Sequence, residues 1–113
     1  MPADFAVSAK RVRQAYVVAP AGELDLGTVD EVRSALEALP EGCSLVVLDL
    51  RELTFFDTSG MRLIVETLER TRAQDIALAL VRGSEDVQRL FELAGLDQRL
   101  PFCDDLDEAL RHR

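Results

Sequence analysis

The sequence predicts an α/β fold in which amphipathic helices cover a mixed, mostly parallel sheet of about four or five strands. Two observations favour it. Runs of apolar, β-favouring residues at 45–48 and 76–81 are typical of strands buried on both faces. A segment with apolar residues at helical spacing follows each run, and such alternation favours right-handed crossovers between parallel strands. About four helices are expected. A chain of 113 residues has the usual length of a single domain, so we expect one domain over residues 1–113.

The amino-terminal part predicts two strands and one helix. Residues 5–19 are rich in β-favouring side chains and predict two strands joined by a turn near residues 11–14. Residues 22–25 then break the strand pattern. Apolar residues at helical spacing after Thr28, a possible N-cap, predict a first helix that ends near Leu39.

The central strand closes at Asp49 and Leu50, and we expect a loop from there to Phe56. The hydroxyl of Ser59 follows, where a helix should begin. Asp57, Thr58 and Ser59 are all able to accept hydrogen bonds from the first-turn amides. The second helix is predicted to place one apolar stripe on the sheet, formed by Met61, Ile64, Val65 and Leu68.

The carboxyl-terminal part repeats this pattern. Residues 82–84 predict a turn in which Ser84 caps a third helix that ends at Gly95. A short extended segment at residues 100–103 precedes a last helix. Acidic residues around the start of that helix suit the positive end of its dipole, namely Asp104, Asp105, Asp107 and Glu108.

The charge of the chain limits its partners. With 13 basic and 21 acidic residues the formal net charge is −8, which disfavours direct nucleic-acid binding and attachment to anionic membranes. A charged partner is expected to dock through a basic face. The amino terminus lacks a targeting pattern, and the longest apolar run, residues 76–81, is too short for membrane insertion, so we expect a cytoplasmic protein.

Cys43 and Cys103 show neither metal-type spacing nor a C-x-x-C pair. We interpret both as reduced, structural thiols, with a free surface thiol as the alternative.

Three polar loops should gather at one edge of the sheet. Residues 22–25, 57–59 and 82–84 follow successive strands, and the carboxyl ends of parallel strands lie together. This edge is therefore the predicted docking surface.

Catalysis is not predicted. A serine nucleophile at Ser59 needs a base, yet the sole histidine, His112, stands at the end of the chain, and no G-x-S-x-G elbow is present. Asp25, Asp49 and Asp57 are conceivable magnesium ligands, but carboxylates at strand ends are more often solvated or capping. We expect no enzyme activity, no cofactor and no metal. Ser59 remains a helix cap or a phosphorylation site.

Three motifs point to a known family. Residues 22–25 read G-E-L-D, residues 49–60 read D-L-R-E-L-T-F-F-D-T-S-G, and residues 90–96 read L-F-E-L-A-G-L. In this order, and over nearly the whole chain, they resemble the STAS domain of the single-domain anti-anti-sigma factors, also called anti-sigma factor antagonists.

The resemblance implies a phosphorylation switch at Ser59, the serine before the glycine. The unphosphorylated antagonist binds an anti-sigma factor and frees the sigma factor, whereas the phosphorylated form releases the anti-sigma factor. The anti-sigma factor is itself the serine kinase, with a histidine-kinase-like ATPase fold, and a metal-dependent serine phosphatase resets the cycle. This chain is then a substrate and binding partner in bacterial transcription regulation, not a catalyst.

The same resemblance implies a partner-binding surface. Asp25, Asp57, Thr58, Ser59 and Arg62 match it, although Asp25 and Asp57 are equally well explained as carboxylates that hold turns. Thr58 is expected to cap the second helix and is a secondary phosphorylation candidate. Met61, the first residue of the apolar stripe on the second helix, is expected to pack against the core.

A phosphate at this point adds about −1.5 to −2 charge at pH 7. We expect it to meet free backbone amides and the positive end of the helix dipole, so the fold should tolerate it. The cost then falls on the interface, where the phosphate lies beside Asp57 and must be desolvated against the partner.

A second function stays open at this stage. STAS domains also serve as accessory subunits of lipid-transporting ABC systems or other signalling assemblies, and such a subunit needs no phosphorylatable serine. The D-T-S-G setting of Ser59 favours the switch.

Overall fold

The structure, a computed structural model, describes residues 4–112. Residues 1–3, on which the expectation about targeting partly rests, lie outside this range. In chain order the elements are β1 (Ala6–Val12), β2 (Ala15–Leu24), α1 (Val29–Glu37), β3 (Leu45–Asp49), β4 (Leu53–Phe56), α2 (Thr58–Ala73), β5 (Ala77–Val81), α3 (Glu85–Leu93), β6 (Phe102–Cys103) and α4 (Leu106–Leu110).

The strands form one mixed sheet in the order β1-β2-β3-β5-β6, with β4 beside β2. β1 is antiparallel to β2 and every other pairing is parallel, as predicted. The sheet has six strands because β2 is long enough to pair with two partners in succession. Its first half pairs with β3, and its end, from Gly22 onward, pairs with β4. The register of this second pairing shifts between Gly22, where φ is +107°, and Glu23.

β4 corrects the sequence prediction, which placed a loop between Leu50 and Phe56. Only the two end residues of β4, Leu53 and Phe56, are buried, whereas Thr54 and Phe55 are exposed. Four residues with this pattern give neither the alternation of a half-buried strand nor the apolar run of a buried one. Pairing with the end of β2 makes this segment a strand.

The two faces of the sheet are covered unequally. Alternate residues of the strands point to a larger core under α1, α2 and α3, and the opposite face packs against α4. On α2, Ile64 is buried as predicted and Leu63, which the predicted stripe omitted, is buried as well. The other members of that stripe, Met61, Val65 and Leu68, are partly buried and pack against the larger core.

Most predicted helix ends are close to the observed ones. Ser84 caps α3 by accepting a hydrogen bond from the Val87 amide at 3.2 Å, and Asp105 caps α4 through the Glu108 amide at 2.8 Å. α1 ends at Glu37, two residues before the predicted Leu39.

Cys43 and Cys103 are both free and buried. Burial, together with the charge and hydrogen bond of Glu108, raises the pKa of the Cys103 thiol. A buried thiol with a raised pKa is a poor nucleophile, which agrees with a packing role.

Candidate functional site at the carboxyl edge of the sheet

Residues 22–24, which were predicted as part of a loop, are the end of β2, because they pair with β4. The loop after β2 therefore begins at Asp25, and it lies next to the predicted polar segment 57–59 at the ends of β2 and β4. The two strands are parallel and pair Leu24 with Phe56, so the residues that follow leave the sheet side by side. The amide of Asp57 donates to the carbonyl oxygen of Leu24 at 3.2 Å. We call residues 25–28 and 57–62 the Ser59 rim. The third loop, residues 82–84, follows β5, whose last residue Val81 pairs with Asp49 at the end of β3.

Asp57 is the N-cap of α2. Its Oδ1 accepts hydrogen bonds from the amides of Ser59 and Gly60, at 2.8 and 3.1 Å. The expectation that Thr58 caps the helix is wrong, because the extended backbone of Asp57 (ψ −168°) places that residue at the cap and makes Thr58 the first residue of the helix. The carboxylate of Asp57 therefore has a local structural role.

Ser59 is the second residue of α2 and is partly buried, between the exposed Thr58 and the buried Gly60. Among the described residues, the hydroxyl of Ser59 takes part in no hydrogen bond. Arg62 follows one turn later, exposed, and forms no ion pair with any residue in the described range. Among the described residues, the rim therefore offers the hydroxyls of Thr58 and Ser59 and the guanidinium of Arg62 without a hydrogen bond or ion pair of their own.

Two of the first-turn amides are already engaged, which corrects part of a second expectation. The sequence predicted that a phosphate on Ser59 meets free amides, but those of Ser59 and Gly60 bind Asp57. A phosphate on Ser59 either displaces the Asp57 carboxylate or stays outside and faces it as a like charge. Phosphorylation therefore gains less from the helix terminus than an uncapped helix offers.

Gly60 sets the position of α2 against the sheet. A Cβ at Gly60 would lie 2.6 Å from the carbonyl oxygen of Leu24 and 3.0 Å from the Cβ of Phe56. Only a residue without a side chain allows this approach. The first turn of α2 is thereby held directly above the ends of β2 and β4.

The loop after β2 is closed by its own polar groups. Asp25 is partly buried, and its Oδ1 accepts a hydrogen bond from the Gly27 amide at 2.9 Å and lies 3.3 Å from the Thr28 hydroxyl oxygen. The Thr28 hydroxyl also accepts from the Asp25 amide at 2.9 Å and donates to the Glu23 carbonyl at 2.7 Å. Thr28 stands at the N-cap position of α1, but its side chain makes no capping hydrogen bond. The expected cap is therefore wrong, and the Thr28 side chain instead stabilises the loop that precedes the helix.

Leu26 is a rim residue that the sequence prediction missed. Its side chain is 77% exposed, at the tip of the loop between Asp25 and Thr28. An exposed leucine held in place by a hydrogen-bonded loop is well suited to an apolar contact with a partner. The sequence did contain an indication of this exposure, because Leu26 belongs neither to the apolar pattern of β2 nor to that of α1.

Asp49 is neither solvated nor capping, contrary to the sequence interpretation of the strand-end carboxylates. It is 8% exposed, and the Arg51 side chain binds both its carboxylate oxygens, at 2.9 and 2.7 Å. Burial opposes ionisation, but the hydrogen bonds and charge of Arg51 outweigh it, so the pKa of Asp49 lies below its ordinary value. This pair fixes the corner between β3 and β4.

The Arg51→Gln variant is expected to lower the free energy of unfolding by about 1–2 kcal/mol at pH 7, because it leaves the Asp49 carboxylate buried without its cation. The value is moderate because the Arg51 side chain is 53% exposed. A depressed carboxyl pKa stabilises the fold above the ordinary value of 3.8. The difference between variant and wild type, measured by urea unfolding, should therefore decline as the pH falls below 3.8 and vanish once the pH is below the lowered pKa of Asp49.

The matched control for this prediction is Arg82→Gln, which breaks an ion pair with Asp104 whose two side chains are both exposed. It should change the unfolding free energy by less than about 0.5 kcal/mol at any pH. Equal effects of the two variants at pH 7 contradict the assigned role of Arg51.

Within residues 4–112, no group of three His, Cys, Asp or Glu side chains is placed to hold a metal ion. No helix in the same range has the length and apolar character needed to span a membrane.

The comparison with known proteins gives the family. A model of the STAS domain matches residues 6–109. The anti-sigma-B factor antagonist of Staphylococcus aureus is 33% identical over 82 residues, which cover 72% of this chain and 76% of the relative. The chain therefore belongs to the STAS domain family, as the three motifs predicted.

Solved structures share the fold. An anti-sigma factor antagonist from Mycobacterium paratuberculosis matches with a TM-score of 0.85 at 24% identity, over 97% of this chain and 96% of that chain. The anti-sigma factor antagonist SpoIIAA in its unphosphorylated form matches with a TM-score of 0.75 at 24% identity, over 91% and 90% of the two chains. These likenesses confirm the STAS-like α/β architecture.

Proposed function

We propose that this protein is an anti-sigma factor antagonist whose binding is switched off by phosphorylation of Ser59. The observation that carries the proposal is the Ser59 hydroxyl itself. It lies in the first turn of α2, next to the N-cap Asp57, and has no hydrogen-bond partner among the described residues. The similarity to a relative named anti-sigma-B factor antagonist supports the functional class.

The unphosphorylated rim is the binding-competent form in this proposal. Leu26 supplies an apolar contact, and Thr58, Ser59 and Arg62 supply polar contacts on the adjacent first turn of α2. Asp25 and Asp57 contribute mainly by holding the loop and the helix in place, since their carboxylates are engaged in local hydrogen bonds. With a net charge of −8, the chain favours a partner that presents basic groups.

The proposed partner is an anti-sigma factor that is also a serine kinase of the histidine-kinase-like ATPase fold. It transfers the γ-phosphoryl group of ATP to the Ser59 oxygen, which loses its proton, and ADP leaves. A metal-dependent serine phosphatase returns the chain to its hydroxyl form. We propose that this phosphorylation cycle takes place in the cytoplasm. In it, the chain is a substrate and not a catalyst.

The test is a reconstituted exchange reaction with the anti-sigma factor kinase from the same genome and its sigma factor. Adding this chain to the preformed complex should release the sigma factor, and prior incubation with ATP should abolish the release. The Ser59→Ala variant should release the sigma factor with or without ATP. If the chain displaces no sigma factor from any anti-sigma factor of that genome, the antagonist function is wrong.

Leu26→Ser should weaken binding to the anti-sigma factor about tenfold without lowering the melting temperature, because the side chain is 77% exposed and contributes no core packing. The matched control is Leu93→Ser, which removes a leucine of similar exposure, 75%, from the end of α3. Calorimetric titration of both variants decides the point. Equal affinities of Leu26→Ser and the wild type exclude Leu26 from the interface.

A further inference from the structure

An open groove of about 1690 Å³ lies at the edge of the sheet opposite the Ser59 rim. Its walls come from the turn between β1 and β2, the carboxyl end of α2, the loop before β6, and α4. The strands contribute their amino-terminal residues, such as Leu45 and Ala77, and apolar side chains including Ile76 and Leu110 form part of the lining.

Of the residues that the structure describes, four arginines border this groove, and all four are exposed: Arg13, Arg72, Arg99 and Arg111. Within the described residues none of them forms an ion pair. Of the acidic side chains in the described part of the chain, two share the lining, Asp75 and Asp107. In a chain of net charge −8, the groove is a local excess of positive charge.

Helix dipoles explain only part of this cluster. Arg72 in the last turn of α2 and Arg111 at the end of α4 lie where cations favour a helix carboxyl terminus. Arg13 and Arg99 lie in a turn and a loop, so the dipoles do not account for them. The four sequence-distant segments converge on one recess.

We propose that this basic groove is a second interface, which binds an acidic segment of a partner protein. Glutamate and aspartate carboxylates of the segment pair with the arginines, and its apolar side chains lie on the apolar part of the lining. An acidic protein segment fits better than a nucleic acid, because the net charge of −8 repels a long polyanion beyond the groove.

The groove and the Ser59 rim are far enough apart to bind two partners independently. Ser59 and Arg72 lie at opposite ends of α2, thirteen residues apart, which corresponds to about 20 Å along the helix. A partner in the groove therefore leaves the rim open, and the groove binds whether or not Ser59 carries a phosphate. The proposal does not rest on the function assigned to the rim.

The probe is a short fluorescein-labelled peptide of alternating glutamate and leucine, added to the full ¹⁵N-labelled chain. We expect amide shifts at Arg13, Arg72 and Arg99, with none at Ser59. The double variant Arg72→Glu/Arg99→Glu should weaken binding at least about tenfold by fluorescence anisotropy. Arg72→Gln/Arg99→Gln, which removes the charges without reversing them, should give a smaller loss in the same direction.

The matched control is Lys10→Glu/Arg89→Glu, which changes the net charge equally at two exposed positions outside the groove. It should bind the peptide within about twofold of the wild type. Equal loss in both double variants overturns the proposal in favour of a general charge effect. Identical shifts with inorganic phosphate at matched ionic strength overturn it in favour of a small-anion site. Self-association that only the groove variant loses, seen by light scattering, assigns the groove to a second copy of this chain.

Discussion

Ser59→Asp should bind the anti-sigma factor about a hundredfold more weakly than the wild type, whereas Ser59→Ala should bind as well as the wild type without responding to ATP. A hundredfold loss corresponds to about 2.8 kcal/mol, which is within the cost of burying one unpaired charge at an interface. The local structure sharpens this expectation, because the two amides nearest Ser59 already bind Asp57. The new carboxylate therefore meets a like charge instead of a donor.

The control for this prediction is Ser8→Asp, which makes the same chemical change at an exposed position on β1, away from the rim. Calorimetric titration should give Ser8→Asp an affinity within about twofold of the wild type. Thermal unfolding should show all three variants folded, because each changed side chain is at least partly exposed. Comparable affinities for Ser59→Asp and Ser59→Ala contradict an electrostatic switch at this residue.

Gly60→Ala should lower the free energy of unfolding by about 3 kcal/mol and the thermal midpoint by roughly 10 °C. The added methyl group meets the Leu24 carbonyl oxygen at 2.6 Å and the Leu24 Cγ at 2.9 Å, so α2 has to move away from β2. That movement shifts the neighbouring Ser59 and breaks the match between the rim and its partner. Affinity for the anti-sigma factor should fall together with stability.

The matched control is Gly27→Ala in the loop of the Ser59 rim. Its added Cβ meets nothing closer than the Asp25 Oδ1 at 3.4 Å, which is an ordinary van der Waals contact. Urea unfolding should place this variant within about 0.5 kcal/mol of the wild type. If Gly60→Ala is no less stable than Gly27→Ala, the close approach of α2 to β2 does not determine the position of the helix.

Local sequence patterns predicted the main elements. β3 and β5 are short continuous apolar runs bounded by polar or turn residues, and the apolar residues of α3 recur at helical spacing, so the local sequence was enough to predict these elements. β4 was missed because its four residues become a strand only through pairing with the end of β2. Such pairing depends on residues about thirty positions away, and local propensity does not contain it.

The candidate site was predicted in outline and corrected in detail. The polar loops around Asp25 and Ser59 do meet at the carboxyl edge, because parallel strand ends must lie together. The cap was assigned to Thr58 instead of Asp57 because every residue in D-T-S is a good cap and only the backbone angles choose among them. Leu26 was missed because exposure of a loop side chain follows from the fold of that loop.

The central claim is that Ser59 is the switch, and the most direct test is intact-mass spectrometry of this protein incubated with the anti-sigma factor kinase and ATP, followed by fragment mapping. We predict a single phosphate on Ser59, none on the Ser59→Ala variant, and loss of kinase binding in the phosphorylated form. Phosphate on Thr58 alone, or an unmodified chain after incubation with a kinase that modifies other antagonists, contradicts the claim and leaves Ser59 as a residue of the helix start without a regulatory role.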